Sequence, residues 1–362
     1  MNRMRFLLAI MFVWSSSFAL DNQEDMPPFR LPGVDGRIYD STEFKKSELL
    51  AIVFLSNHCP TSQIFQHRII RLTKEYRNKG LAVIAISPND PEAILPDELS
   101  HSALGDTLPE MALRAKELQY PFPYLYDGKT QEVAKAYGVR VTPHAFLFDK
   151  KRKLRYSGRI GDPKNPERED REELGIAINS LIQGIEPAVV RGLAFGNSIK
   201  WIKDRIIAEK TRERFARESV YLKNANIRTL RFVRRNDAKL PKLIYVWSNQ
   251  DMNSRQELLQ LAAIHKIYRK RGLKLVTICV DGNDFTDVAK KLLVETQSSG
   301  TNYICSGTEI SPVVDLRAEE GIETTPFLGL LTSGAKIFYR STKGLEPLTI
   351  KRHIIEALNL NK

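Results

Sequence analysis

Leu49-Leu50-Ala51-Ile52-Val53-Phe54-Leu55 runs straight into Ser56-Asn57-His58-Cys59-Pro60-Thr61-Ser62. An unbroken apolar run without alternation describes a strand covered on both faces, as a central strand of a parallel sheet is. The polar residues after it end the strand, and Pro60 suits a first helical turn because its missing N–H would have had no partner there. Apolar residues at Ile64, Phe65, Ile69, Ile70 and Leu72 predict one buried helix face over 61–79, and Gly80 supplies a left-handed cap. A second apolar run, Leu81 to Ile86, follows. Strand, helix, Gly and strand place Cys59 at a corner where a buried strand hands over to a helix.

Beyond that corner the pattern predicts helices near 108–118, 130–137 and 168–183, with strands near 122–126, 145–148 and 154–156. Strands alternating with helices and finished by a hairpin and a helix describe an α/β sheet with helices on both faces. The same grammar returns: Leu243-Ile244-Tyr245-Val246-Trp247, a helix near 253–271, Gly272, and a strand from Leu273 to Val280. Gly138 to Leu147 likewise matches Gly321 to Leu330 in spacing and type. Two tandem copies of one fold are the economical reading. It divides the chain into residues 1–19, a first unit over 20–185, a basic linker over 186–215 and a second unit over 216–362.

Composition agrees. The 362 residues are 42% hydrophobic, enough for real cores, which excludes collagen-like, coiled-coil and low-complexity classes. The longest apolar stretch, Phe6 to Trp14, is too short to cross a bilayer as a helix. Arg3 and Arg5 precede it and Ser17-Phe18-Ala19 follow, so residues 1–19 read as a cleaved export signal and the mature chain as periplasmic or secreted. The net charge of +12 is uneven, with 14 Lys+Arg against 5 Asp+Glu in residues 191–240. Export removes nucleic acid as a partner. A basic helix packed between the units, or weak contact with an anionic membrane surface or acidic client, is left.

Three cysteines, Cys59, Cys279 and Cys305, are an odd number for an oxidising compartment, so one is free or pairs with another molecule. A thiol at a helix start faces unpaired N–H groups and the positive end of the dipole, which favour the nucleophilic thiolate. The plainer reading of Cys59 is a small buried core residue.

Cys-Pro-x-Ser at a helix start and Thr142-Pro143 before a later strand resemble a thioredoxin-fold redoxin. More closely, Asn57-His58-Cys59-Pro60, Ile86-Ser87-Pro88-Asn89-Asp90, Phe122-Pro123-Tyr124-Leu125-Tyr126-Asp127 and Thr142-Pro143-His144-Ala145-Phe146 resemble one branch of the alkyl hydroperoxide reductase and thiol-specific antioxidant (redoxin) family. The likeness spans roughly residues 25–205. It implies a cis Thr142–Pro143 bond beside the thiol, where the Thr142 backbone holds an incoming extended chain or small disulfide. It also implies that Ser56 and Ser62 hydrogen-bond the thiolate. His58 then either lowers the thiol pKa or shuttles a proton, or is a plain surface-loop histidine. A soft-metal site of His58, Cys59 and His144 is the minor alternative; the main reading calls for no metal and no cofactor.

Residues 216–362 resemble periplasmic thiol-disulfide reductases that carry Trp-Cys-x-x-Cys, with Thr325-Pro326 at the cis-proline position. Here Asp251 and Ser254 replace both cysteines, so the second unit is expected to be redox-inactive. In the first unit Ser62 stands in place of a second cysteine, and Asn197 stands where relatives often carry another. The proline and arginine that support a peroxidatic cysteine are replaced by Ile52 and Pro143. In this fold Cys279 and Cys305 fall on neighbouring strands, as packing residues or as a structural disulfide. The resemblance thus implies two thioredoxin-like folds in tandem and an exported, single-cysteine thiol oxidoreductase of the antioxidant and redox-homeostasis kind. Cys59 would attack a disulfide-bearing client or a small peroxide, and an external thiol would resolve the product. A redox-inactive docking protein is the competing reading.

Overall fold

The computed structural model describes residues 24–168, 172–235, 240–305, 326–332, 336–341 and 344–360. The export signal expected over 1–19 and the Thr325-Pro326 bond fall wholly or partly outside them.

An antiparallel hairpin, β1 (Arg30–Pro32) and β2 (Ile38–Asp40), leads into β3 (Leu49–Phe54), α1 (Pro60–Tyr76) and β4 (Leu81–Ser87). Gly80, at φ 91°, turns the chain between helix and strand as a left-handed residue must. Helix α2 (Leu108–Glu117), β5 (Tyr124–Tyr126), α3 (Glu132–Ala136), β6 (Val141–Thr142), β7 (His144–Phe148), β8 (Leu154–Gly158) and α4 (Glu173–Ile182) complete the unit. The five-stranded sheet runs β5-β4-β3-β7-β8, with β5, β4 and β3 parallel and β7 and β8 antiparallel to their neighbours. Leu49, Ala51, Val53 and Leu55 face α1 and α4, while Leu50, Ile52 and Phe54 face α3 and the hairpin. Both faces are covered, so the run is apolar throughout.

A two-residue strand, β9 (Asn197–Ser198), pairs antiparallel with β6, and Ile199 is buried in the first unit's core. The stretch read as linker thus starts inside the first unit. Helix α5 (Arg205–Ala216) follows, burying Ala208 and Phe215. Its Arg205 pairs with Asp90 at 2.5 Å, and Arg269 lies 4.4 Å over the Phe215 ring, so this basic helix packs between the two units.

The second unit comprises β10 (Leu222–Asn224), α6 (Ile227–Arg235), β11 (Lys242–Trp247), α7 (Ser254–Tyr268), β12 (Lys274–Cys279), α8 (Thr286–Glu295), β13 (Thr301–Ile304), β14 (Phe327–Leu331), β15 (Ile337–Ser341) and α9 (Pro347–Asn359). Its sheet runs β10-β13-β12-β11-β14-β15 and repeats the strand directions of the first, with β10 added parallel at the edge. The disulfide held open for Cys279 and Cys305 is not formed, and both side chains are buried. Cys279 packs with Trp247 and Leu275 on one face of the sheet and Cys305 with Ile278 and Val276 on the other, so their side chains point apart.

Candidate thiol site

Cys59 ends the turn after β3 in extended conformation and is the N-cap of α1, its sulfur accepting the Ser62 backbone N–H at 3.4 Å. This is the helix-start position expected of a reactive thiol, where unpaired amides converge. The residue is fully buried. Its surroundings are polar: Sγ donates to the Thr142 carbonyl at 3.0 Å and to Asn197 Oδ1 at 3.4 Å. The Thr142–Pro143 peptide is cis.

Of the two serines expected to hydrogen-bond the sulfur, Ser62 does so through its backbone N–H and Ser56 does not. Ser56 Oγ bonds Thr142 Oγ1 at 3.0 Å, and Ser62 Oγ accepts the Ser56 N–H at 3.4 Å. Neither hydroxyl reaches the sulfur; the Ser62 contact is its backbone N–H. Ser56 ties the turn before Cys59 to β6 and Ser62 braces that turn from α1, which fixes where the thiol meets Thr142.

His58 is no surface-loop residue. It is completely buried, and Nδ1 lies 2.7 Å from Asp106 Oδ2. Sequence spacing did not reveal Asp106, because it sits 47 positions after Cys59, ahead of the Thr107 cap of α2. Its carboxylate also accepts the Asn57 N–H at 2.6 Å, the His58 N–H at 3.3 Å and the Asn89 side-chain amide at 2.7 Å. Burial alone would raise the Asp106 pKa, but the His58 charge and these hydrogen bonds outweigh it and hold it below the usual carboxylate value. The ionised Asp106 thereby holds His58 Nδ1 on its carboxylate, while Nε2 is buried with no hydrogen-bond partner among the described residues. The only cue in sequence was Asn89, inside one of the family-like segments.

His144 lies apart from this cluster. Its Nε2 bonds Ser157 Oγ at 3.0 Å and its ring packs on Phe146 at 4.3 Å, so it and His58 serve different partners. Among the described residues no three His, Cys, Asp or Glu side chains are grouped to hold a metal ion.

Burial pulls the His144 pKa from 6.5 down to about 4. Burial, with the Arg269 charge, does the same at His265 in the second unit. A base with a depressed folded pKa adds stability that is complete above its unfolded value and is lost as pH falls through the folded one. Stability is therefore expected to drop between pH 6.5 and about 4, by at most about 3 kcal/mol per histidine. Asp127 works oppositely: burial raises its pKa to about 6, so its share of stability grows on acidification. Urea midpoints of His144→Asn against the parent, measured across this interval, isolate the histidine: the variant should show the shallower fall, and parallel curves would refute the assignment.

The second unit keeps the frame of the site without its sulfur. Asp251 stands as far ahead of Gly272 as Cys59 does ahead of Gly80. Asp281 accepts the Asn249 N–H at 2.6 Å, as Asp106 does for Asn57, and Ser254 Oγ donates to the Ser248 carbonyl at 2.8 Å.

Residues 23–157 match the model of the AhpC/TSA family. No curated protein matches the chain. Among solved structures, a hypothetical protein of Sinorhizobium meliloti is 32% identical, with 51% of this chain and 96% of that one covered at a TM-score of 0.45. An uncharacterized conserved protein of Geobacillus kaustophilus is 36% identical over 50% and 93% of the two chains, also at 0.45. A putative thiol:disulfide interchange protein DsbE of Chlorobium tepidum is 20% identical over 38% and 85%, at 0.32. The thiol at the helix start and the cis Thr142–Pro143 bond both lie within residues 23–157, the stretch that is similar to the AhpC/TSA family.

Proposed function

We propose that the chain is an exported thiol oxidoreductase in which Cys59 is the single nucleophile. The observation that carries this reading is the position of its sulfur, capped by the Ser62 N–H and set 3.0 Å from the Thr142 carbonyl. Cys59 would attack a disulfide of a client protein, or a small peroxide, and the resulting mixed disulfide or sulfenic acid would be resolved by an external thiol. With Asp251 and Ser254 at its helix start, the second unit offers no cysteine there to finish the reaction. Arg3 and Arg5 ahead of the apolar run support export. The unit boundaries 20–185 and 216–362 belong to this proposal, as does weak attraction of the basic residues over 191–240 to an anionic membrane surface.

One observation favours the second reading, a docking protein without turnover: Cys59 is 0% exposed. Alkylation and activity separate the two. Under the first reading Cys59 reacts with iodoacetamide at about pH 6 faster than a model thiol, since only the thiolate reacts, and Cys59→Ser abolishes disulfide reduction or peroxide consumption. An alkylation rate no faster than the model thiol, together with unchanged assays for Cys59→Ser, would establish the docking reading.

A further inference from the structure

The thiol is closed off by its own chain. Strand β9 lies antiparallel on β6 with Asn197 opposite Thr142, on the backbone edge that an incoming chain would use. Asn197 Oδ1 then sits 3.4 Å from the sulfur. The segment is fastened at both ends. Ser157 donates to the Val190 carbonyl at 2.8 Å and accepts the Gly192 N–H at 2.7 Å; further on, Ile199 donates to the Arg140 carbonyl at 3.0 Å and Lys200 to Asn89 at 2.9 Å. Between these fastenings Leu193 and Phe195 are 91% and 58% exposed, large apolar side chains turned to water.

We propose that residues 193–198 form a displaceable strap occupying the client's place, and that the client is an extended polypeptide with glycine directly before the cysteine of its disulfide. The inference rests on Cys59 being the nucleophile. Position 197 of the strap marks where the client's sulfur would lie, because that side chain alone points from the strap to Sγ. Position 196 sets the requirement for glycine. A Cβ there would overlap the Thr142 carbonyl oxygen and stand 2.6 Å from its carbon, a backbone wall that does not yield. Any strand taking the same register meets the same wall. In the reaction the Cys59 sulfur bonds to the client's near sulfur, the client's own S–S bond breaks, and the electron pair and the Cys59 proton end on its second cysteine as a thiol. No other oxidant enters.

Two synthetic peptides test this on the full chain, identical except for Gly or Val before a cysteine held as a mixed disulfide with thionitrobenzoate. The Gly peptide should release thionitrobenzoate on Cys59 at least tenfold faster. In Gly196→Ala, whose added methyl lifts the strap from Thr142, iodoacetamide should alkylate Cys59 at least tenfold faster than in the parent. Equal rates for the two peptides, which need no variant and so do not depend on its folding, would overturn the inference while brisk alkylation left the nucleophile standing. A folded Gly196→Ala whose Cys59 resists iodoacetamide would bring down the nucleophile and the strap together.

Discussion

Replacing Asp106 with alanine is expected to destabilise the first unit by about 3–5 kcal/mol, since removing one partner of a buried ion pair strands the other. The side chain is 0% exposed, and its carboxylate gathers the His58 ring, two backbone N–H groups and the Asn89 amide. Alanine leaves all four donors buried and unpaired, each at a cost of about 1–3 kcal/mol before the fold relaxes. Asp106→Asn keeps the shape and one acceptor oxygen, so its loss should be smaller. Urea unfolding of both variants gives the check. If alanine lost under 1 kcal/mol, the hydrogen-bond set would not be what holds the loop before Cys59. The same series carries a chemical readout: with the loop loosened, iodoacetamide should reach Cys59 faster in both variants at urea concentrations far below the unfolding transition.

The second large effect is a gain. Asn197→Cys should close a disulfide with Cys59 under mild oxidation, because the present side chain already stands 3.4 Å from that sulfur and a cysteine is of similar reach. Closing a loop of this length removes unfolded-chain entropy worth about 5 kcal/mol at most. The oxidised variant should therefore unfold at higher urea, show no alkylable Cys59, and return to the parent's behaviour on reduction. Failure to oxidise would mean that the strap does not hold position 197 against the thiol in solution. On reduction, the variant would also place a second thiol beside Cys59, able to resolve a mixed disulfide formed there.

The sheet of the first unit was legible because burial on both faces writes itself as an unbroken apolar run, and Pro60 and Gly80 marked the ends of α1. The repeat of that grammar around Gly272 likewise forecast the second sheet. What stayed hidden has a common cause. Asp106 and Asn197 reach the Cys59 loop across separations of 48 to 138 positions, with Asn89 joining through Asp106, along loops that carry no periodicity. Ser56 was misassigned for a related reason: residue type predicted a hydrogen bond to the sulfur, but the turn geometry gave the sulfur the Ser62 backbone N–H and spent both hydroxyls on the scaffold. Neighbouring strands made Cys279 and Cys305 look like a pair, whereas alternation along each strand sends them to opposite faces.

The short helical turn from Pro96 to His101 links the two units. Arg271 donates to the Ser100 carbonyl at 2.5 Å, Tyr268 to that of Ser102 at 3.3 Å, and Lys270 pairs with Asp97 at 2.6 Å. Four residues beyond Ser102 comes Asp106. The second half is thus a buttress: it pins the approach to the anion beneath the Cys59 corner. A chain trimmed after the first half would lose that mooring, so rates measured on such a fragment would describe a slacker pocket than the one the whole molecule carries.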